Sequence, residues 1–329
     1  MFWARRRRHR SFEKILGRSR RAEDIVGCGG GDHLLHTEME ETSINFGSKK
    51  IAVVTGANKG IGLEISKQLA AKGVGVVLTA RDVKRGTQAA ENLKASGFSD
   101  VVFHQLDVTE PTTIASLANF LETQFGKLDI LVNNAGVLGS VYLTDDDVLG
   151  SKSDPVQTYE TARDCLKTNY YGVKQLTEAL VPLLQKSEAA GIVNVSSGLG
   201  QLRNIGNDKA KKELGDAVNL NEEKVDKLVE EFLEDVKHDS IESKGWPRSM
   251  SAYIVSKAAL NAYTRLLAKK YPHIAINAVG PGYTKTDLNN NTGILTVEEA
   301  AVGPVKQALI AETRISGLFF NRNEESTFD

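Results

Sequence analysis

Residues 51 to 69 read as a buried strand, a glycine turn and a helix, and no other stretch limits the possible fold as tightly. Ile51, Ala52, Val53 and Val54 form a short apolar run. Thr55-Gly-Ala-Asn-Lys-Gly-Ile-Gly62 follows, and Leu63, Ile65, Ser66 and Leu69 then fall at helical spacing. Glycines at 56, 60 and 62 let the backbone bend sharply, approach a ligand closely and turn the first N–H groups of the next helix toward an anion. A nucleotide diphosphate fits that description, which makes Gly56, Asn58, Lys59, Gly60, Ile61 and Gly62 candidate cofactor residues. The G-x-x-x-G-x-G spacing departs from the G-x-G-x-x-G of two-domain dehydrogenases, and a tight turn that binds nothing would have the same local pattern.

Beyond this stretch, apolar runs alternate with helical patterns, which predicts a parallel sheet covered on both faces. Strands are expected at 74–78, 101–106, 128–132, 192–195, 274–279 and 318–320, making seven with the first; helices are expected at 159–184, 251–269 and 297–309. The architecture this implies is one Rossmann-type, doubly wound α/β domain over residues 49–329. Forty-one Lys and Arg against 42 Asp and Glu leave no charge excess that would draw the chain to nucleic acid or a membrane surface. No run approaches the roughly 18 apolar residues of a membrane span. Two distant cysteines, Cys28 and Cys165, fit a reducing compartment, and a cytoplasmic location is expected.

Residues 1–48 are unlike the rest. Arginines crowd positions 5–21, glycines fill 29–31, and no apolar periodicity supports an element. Glu13, Glu23, Asp24 and the scarcity of serine weaken an organelle-targeting reading. The segment is expected to be a disordered or artefactual extension, and translation starting at Met39 would account for it. Cys28, His33 and His36 are too few to make a metal site, and none is expected.

Where an NAD-specific fold places a carboxylate to hold the ribose 2′-hydroxyl, at the end of the second strand, Ala80 is followed by Arg81. A guanidinium attracts a 2′-phosphate, and Lys59 adds a second cation. Together they predict NADP(H), a preference that the neighbouring Asp82 would blur.

Tyr253 and Lys257 lie four apart on a predicted helix, one turn apart on the same face. A nearby ammonium favours the phenolate and brings the phenol toward the range of an acid–base catalyst. Y-x-x-x-K is a short pattern, however, and Tyr170 with Lys174 repeats it; that second pair reads as helix surface. Ser196 and Ser197 follow the fifth strand at its carboxyl end, where open α/β sheets place ligands, and a hydroxyl there could hold a substrate carbonyl.

Taken in order, Thr55-Gly-Ala-Asn-Lys-Gly-Ile-Gly62, Asp107-Val108, Asn133-Asn-Ala-Gly136, Asn169, Ser197, Tyr253-x-x-x-Lys257 and Pro281-Gly282 resemble the short-chain dehydrogenase/reductases from about residue 50 onward. The resemblance implies that Ser197, rather than Ser196, orients and polarises the substrate carbonyl and that Tyr253 donates the proton. It implies that Lys257 lowers the tyrosine pKa and binds the nicotinamide ribose, while Asn169 holds a water in the proton relay. It also implies that Asp107 and Val108 border the adenine, that Asn134, Ala135 and Gly136 line the cofactor cleft, and that Thr284 or Thr286, after Pro281 and Gly282, touches the carboxamide.

Fifty-six positions separate Ser197 from Tyr253, far more than in most members of that family. Within this interval Asn221 is a good N-cap, Glu222 and Glu223 suit a first turn, and Val225, Leu228, Val229, Phe232, Leu233 and Val236 trace a helical stripe. The stretch 203–245 is therefore expected to form a helical flap beside the cleft. With Gly245-Trp-Pro247 and Gly317-Leu-Phe-Phe320, it is similar to the plant carbonyl reductases of the neomenthol dehydrogenase and salutaridine reductase type. That resemblance implies NADPH-dependent reduction of a ketone or aldehyde. A flap here would cover the surface through which many family members pair, so a monomer is expected. Phe232, Leu138, Val141 and Tyr142 are expected to line an apolar pocket for a bulky terpenoid- or alkaloid-like carbonyl compound. An alcohol dehydrogenase running oxidatively, or a silent cofactor-binding sensor, are the alternatives.

Overall fold

Strands whose every residue is apolar on both faces must be sandwiched between helices, and the first strand, β1 (Ile51–Val54), is buried along its whole length. The computed structural model describes residues 44, 46–140, 156–313 and 315–329, all within the compact unit Ser43–Asp329. After β1 the chain runs through α1 (Gly60–Ala71), β2 (Gly75–Ala80), α2 (Val83–Ala95), β3 (Val101–Gln105), α3 (Pro111–Phe125) and β4 (Ile130–Asn133). It continues through α4 (Tyr159–Leu166), α5 (Val173–Leu184), β5 (Gly191–Val195), α6 (Asp208–Gly215), α7 (Glu222–Lys237), α8 (Ser251–Lys270), β6 (Ala275–Gly280), α9 (Val297–Leu309), β7 (Phe319–Asn321) and β8 (Glu324–Ser326).

The strands form one sheet in the order β3-β2-β1-β4-β5-β6-β7-β8, parallel except for β8. Winding reverses between β1 and β4, and that reversal opens a crevice at their carboxyl ends. Ile65, Leu69, Leu93 and Val305 pack on one face; Leu117, Leu121, Leu180 and Tyr263 pack on the other. Among the described residues no helix is long and apolar enough to cross a membrane.

Three features differ from the sequence expectations. An eighth strand, Glu324–Ser326, pairs antiparallel with β7 through a tight turn in which Arg322 has φ +59°. Three charged or polar residues at a sheet edge carry no apolar pattern, which is why only seven strands were legible. The packed unit also starts before residue 49: Phe46 is buried, stacks on Phe125 with centroids 5.3 Å apart, and fills the space a side chain at Gly75 would need. The helix expected at 159–184 is interrupted by a π-turn, Lys167–Gly172. Residues 1–43, including Cys28, His33, His36 and Met39, lie outside the described residues, as do Val141 and Tyr142.

The stretch 203–245 does form helices. Asn221 caps α7 by accepting from Lys224 N at 2.9 Å, and Val225, Leu228, Val229 and Phe232 are buried, each stabilising the packing by roughly 2 kcal/mol. This face packs on α4 and α8, with the Phe232 ring edge-on to Trp246 at 5.2 Å. Phe232 therefore fills the core rather than a substrate pocket, and among the described residues none of 203–245 lines the cleft. Tyr170 and Lys174 are not helix surface either. Tyr170 is fully buried and donates its hydroxyl hydrogen to Asp226 Oδ1 at 2.7 Å, and Lys174 Nζ bonds Asp226 Oδ2 at 2.7 Å.

Candidate active site

The crevice between β1 and β4 opens into a cavity of about 1430 Å³. All the residues expected to bind a cofactor line it, from Gly56 to Gly62 (except Ala57), through Arg81, Asp107, Val108 and Asn134 to Gly136, to Pro281, Gly282, Thr284 and Thr286. Of the expected catalytic set, Ser197, Tyr253 and Lys257 line it and Asn169 stands behind it.

The glycine turn is built to hold an anion. Gly56 has φ +60°, and a Cβ at Gly62 would stand 2.4 Å from Asn134 Nδ2 and 2.7 Å from Gly56 O. Asn134 Nδ2 donates to Thr55 O at 2.8 Å, while Thr55 Oγ1 accepts from the backbone N–H of Asn134 and Ala135, both at 2.9 Å. These bonds fasten β4 to the turn. The start of α1 has no side-chain cap and no acidic residue in its first turn, so its N–H groups face the cleft ready for a diphosphate. The residues present thus fit a dinucleotide.

Asp82 does not offset Arg81. Its Oδ1 accepts from Arg85 N at 2.8 Å and caps α2, and its other oxygen meets Arg85 Nε at 3.2 Å. The Arg85 backbone N–H, with its guanidinium, holds the Asp82 carboxyl below the usual range.

The two serines separate cleanly. Ser196 is buried and spends its hydroxyl on Asn261 Oδ1 at 2.6 Å. Ser197 is half-buried at the cleft, accepts from Leu199 N at 3.1 Å and stands beside the Tyr253 phenol. Lys257 Nζ sits 5.7 Å from the Tyr253 ring centre and donates to Val195 O at 2.8 Å. Burial pushes this lysine down to about 8. Burial also pushes the Tyr253 phenol up to about 12, with Ser197 pulling the other way. Loss of water around the phenolate outweighs the pull of Ser197, so the shift is upward, whereas the resemblance implied a lowering by Lys257.

Asn169 lies in the π-turn with its side chain fully engaged. Oδ1 accepts from Val137 N at 2.9 Å, and Nδ2 donates to Val137 O at 2.9 Å, Ser256 Oγ at 3.0 Å and Cys165 Sγ at 3.2 Å. Any water it holds must use its backbone carbonyl, in a turn where the regular helical ladder is broken. Burial pushes the Cys165 thiol up to about 12, so the cysteine serves as packing. Among the described residues no cluster of His, Cys, Asp and Glu could hold a metal.

Sequence reasoning missed three supporting residues. Ser256 donates to Tyr253 O at 2.8 Å and ties Asn169 to the Tyr253 helix. Gln157 Oε1 accepts from Ala252 N at 2.8 Å, doing the work of an N-cap for α8, whose first turn follows Met250 in a left-handed conformation. Gly200 lets the segment after Ser197 lie against Lys257. Ser256 could have been found from its place inside Tyr253-x-x-x-Lys257; Gln157, nearly a hundred positions upstream, gives no sequence signal.

A doubly wound sheet with an anion-binding turn at its switch point and a serine, tyrosine and lysine gathered beside it defines a dinucleotide-dependent oxidoreductase. The chain belongs to the short-chain dehydrogenase/reductase family. Residues 50–208 match the family model described as short chain dehydrogenase, and residues 224–313 match the one described as enoyl-(acyl carrier protein) reductase. The chain is 51% identical to a (+)-neomenthol dehydrogenase of Arabidopsis thaliana, across 85% of this chain and 98% of that protein. It is 39% identical to carbonyl reductase [NADPH] 3 of Mus musculus, across 79% and 91%. The solved structure of salutaridine reductase from Papaver somniferum superposes with a TM-score of 0.78 at 48% identity, covering 83% of this chain and 99% of that one. The protein is thus an oxidoreductase acting on carbonyl or alcohol groups.

Proposed function

We propose that this chain reduces a bulky, hydrophobic ketone or aldehyde, terpenoid- or alkaloid-like in kind, with NADPH and with Tyr253 as general acid. The observation that carries the reading is that Ser197, Tyr253 and a buried Lys257 line one cleft, with Ser197 beside the Tyr253 phenol and Lys257 Nζ 5.7 Å from its ring centre. When bound, a reduced nicotinamide supplies the hydride. Ser197 holds the carbonyl oxygen, Tyr253 delivers a proton to it, and Lys257 holds the ribose and lends positive charge as the phenolate forms. Asn169, through its backbone carbonyl, steadies a water from which Tyr253 is reprotonated.

A phenol pushed up to about 12 carries its proton at neutral pH, as a proton donor must, and the cations Arg81 and Lys59, suited to a 2′-phosphate, favour reduction over the oxidative alternative. A complete serine, tyrosine and lysine set argues against a silent sensor. Arg81, with Asp82 turned away, supports NADP(H), as does the NADPH in the name of the mouse carbonyl reductase. Leu138, Leu199, Met250 and Tyr283 give the cleft an apolar wall, in keeping with the terpenoid and alkaloid names of the relatives. The flap lies across α4 and α8 and covers the face a partner subunit would need, which supports a monomer. Parallel assays of menthone-like, alkaloid and simple aromatic carbonyls with NADPH and NADH test the reading. Turnover with NADPH on a bulky carbonyl is expected; equal use of NADH, or oxidation only, overturns it.

A further inference from the structure

Lys59 and Asp287 meet across the mouth of the cleft although they are 228 positions apart: Lys59 Nζ donates to Asp287 Oδ2 at 2.6 Å. Lys59 belongs to the glycine turn, and Asp287 opens a single 3₁₀ turn, Asp287–Asn289, after the Pro281-Gly282 segment. That turn is firmly built. Asn289 Nδ2 donates to Thr284 O at 2.9 Å, Asn291 N donates to Thr286 O at 2.9 Å, and Thr284 forms a β-bridge to Leu295. The Thr286 methyl lies 3.7 Å from the place of a Cβ on Gly60, so the turn abuts the glycine turn directly. The backbone that carries Asp287 is therefore held in position, and Lys59 reaches its carboxylate from the glycine turn. Arg81, the other cation expected at the 2′ position, has no ion pair among the described residues.

A 2′-phosphate that recruits Lys59 must take it from Asp287, whereas a ribose with a free 2′-hydroxyl leaves the pair intact. We propose that Asp287 sets the affinity of this cleft for the 2′-phosphate, as an intramolecular carboxylate that competes with the cofactor for Lys59. This rests on the reading of the cleft as an NADP(H) site. Asp287 thereby determines cofactor discrimination without touching the reacting atoms. Its effect is to loosen the hold on the phosphorylated dinucleotide, which favours release.

Binding rather than turnover tests this, with 2′,5′-ADP and 5′-AMP titrated by calorimetry. Asp287→Asn keeps the shape of the turn and removes the charge. It should bind 2′,5′-ADP about three- to fivefold tighter, the size of effect an exposed ion pair carries, with 5′-AMP unchanged. Lys59→Met should bind 2′,5′-ADP more weakly, and adding Asp287→Asn to it should change nothing further. Asp287→Asn that leaves 2′,5′-ADP unchanged, weakens it, or tightens both ligands alike overturns the competition. A wild-type protein that binds 2′,5′-ADP no better than 5′-AMP overturns the NADP(H) reading as well; a wild type that does discriminate, with no gain in the variant, overturns the competition alone.

Discussion

Tyr170 Oη and Asp226 Oδ1, 2.7 Å apart, join the helix that carries Asn169 to the inserted flap. Lys174 takes the other carboxylate oxygen and also reaches Glu222 at 3.2 Å, so two α7 carboxylates add polar contacts to the docking of its apolar face. Burial, with Asp226 adding to it, holds the Tyr170 phenol far above the ordinary tyrosine range, so it stays protonated and donates to the carboxylate.

Asp226→Ala strands a buried hydroxyl and removes one of the two anions facing Lys174. The expected cost is about 2–3 kcal/mol, read as a lower denaturation midpoint. Since Asp226 does not line the cleft, the NADPH dissociation constant should hold. A variant as stable as the wild type would show that α7 is docked by its apolar face alone.

Lys257 burdens the folded protein with a buried charge. Its pKa falls from 10.5 to about 8 on folding, so below pH 8 both states carry the proton and the folded state bears the full desolvation cost. Between 8 and 10.5 the folded chain sheds the proton that the unfolded chain keeps, and the cost fades as pH rises. Lys257→Met should therefore be inactive yet more stable at pH 7, by on the order of 2 kcal/mol. The advantage over wild type should shrink as unfolding is measured from pH 8 toward 10. An advantage independent of pH would trace the effect to packing instead.

The hydroxyl of Tyr253 is expected to matter for chemistry and hardly at all for cofactor binding. Tyr253→Phe should lower kcat by at least about 10³-fold, with NADPH quenching of protein fluorescence reporting a dissociation constant within about twofold of wild type. Comparable turnover in the variant would move the proton donor elsewhere, with the Ser197 hydroxyl beside the phenol the first candidate.

Most of the fold was readable because parallel strands buried on both faces have continuous apolar runs, as Ile51 to Val54 do, and because α7 keeps strict helical spacing from Val225 to Phe232. The cleft was readable because local motifs at successive strand ends converge at the switch point. What periodicity conceals is the partner of a stripe: it shows that Phe232 is covered and not that Trp246 covers it. Short motifs conceal function in the same way, since Tyr170 and Lys174 repeat the spacing of Tyr253 and Lys257 and serve docking. Pairings between distant loops, such as Gln157 with the start of α8, leave no local trace.

Gly200 offers the sharpest test of how closely the Ser197 segment must lie on the catalytic helix. A Cβ there would stand 2.7 Å from both the backbone carbon and the Cβ of Lys257 and 2.9 Å from its carbonyl oxygen, none of them the free end of a flexible side chain. Gly200→Ala must therefore push the turn Gly198–Gly200 away from α8, and Ser197, the residue just before that turn, moves with it. A shift near 1 Å between the hydroxyl proposed to hold the carbonyl and the phenol proposed to protonate it should lower kcat by about 10²-fold. Gly198→Ala is the matched control: its Cβ would meet only Gln201 Oε1, at 3.7 Å, and kcat should stay within about twofold. If both variants turn over like wild type, the Ser197 segment has enough slack that its packing on Lys257 does not set the geometry of proton transfer.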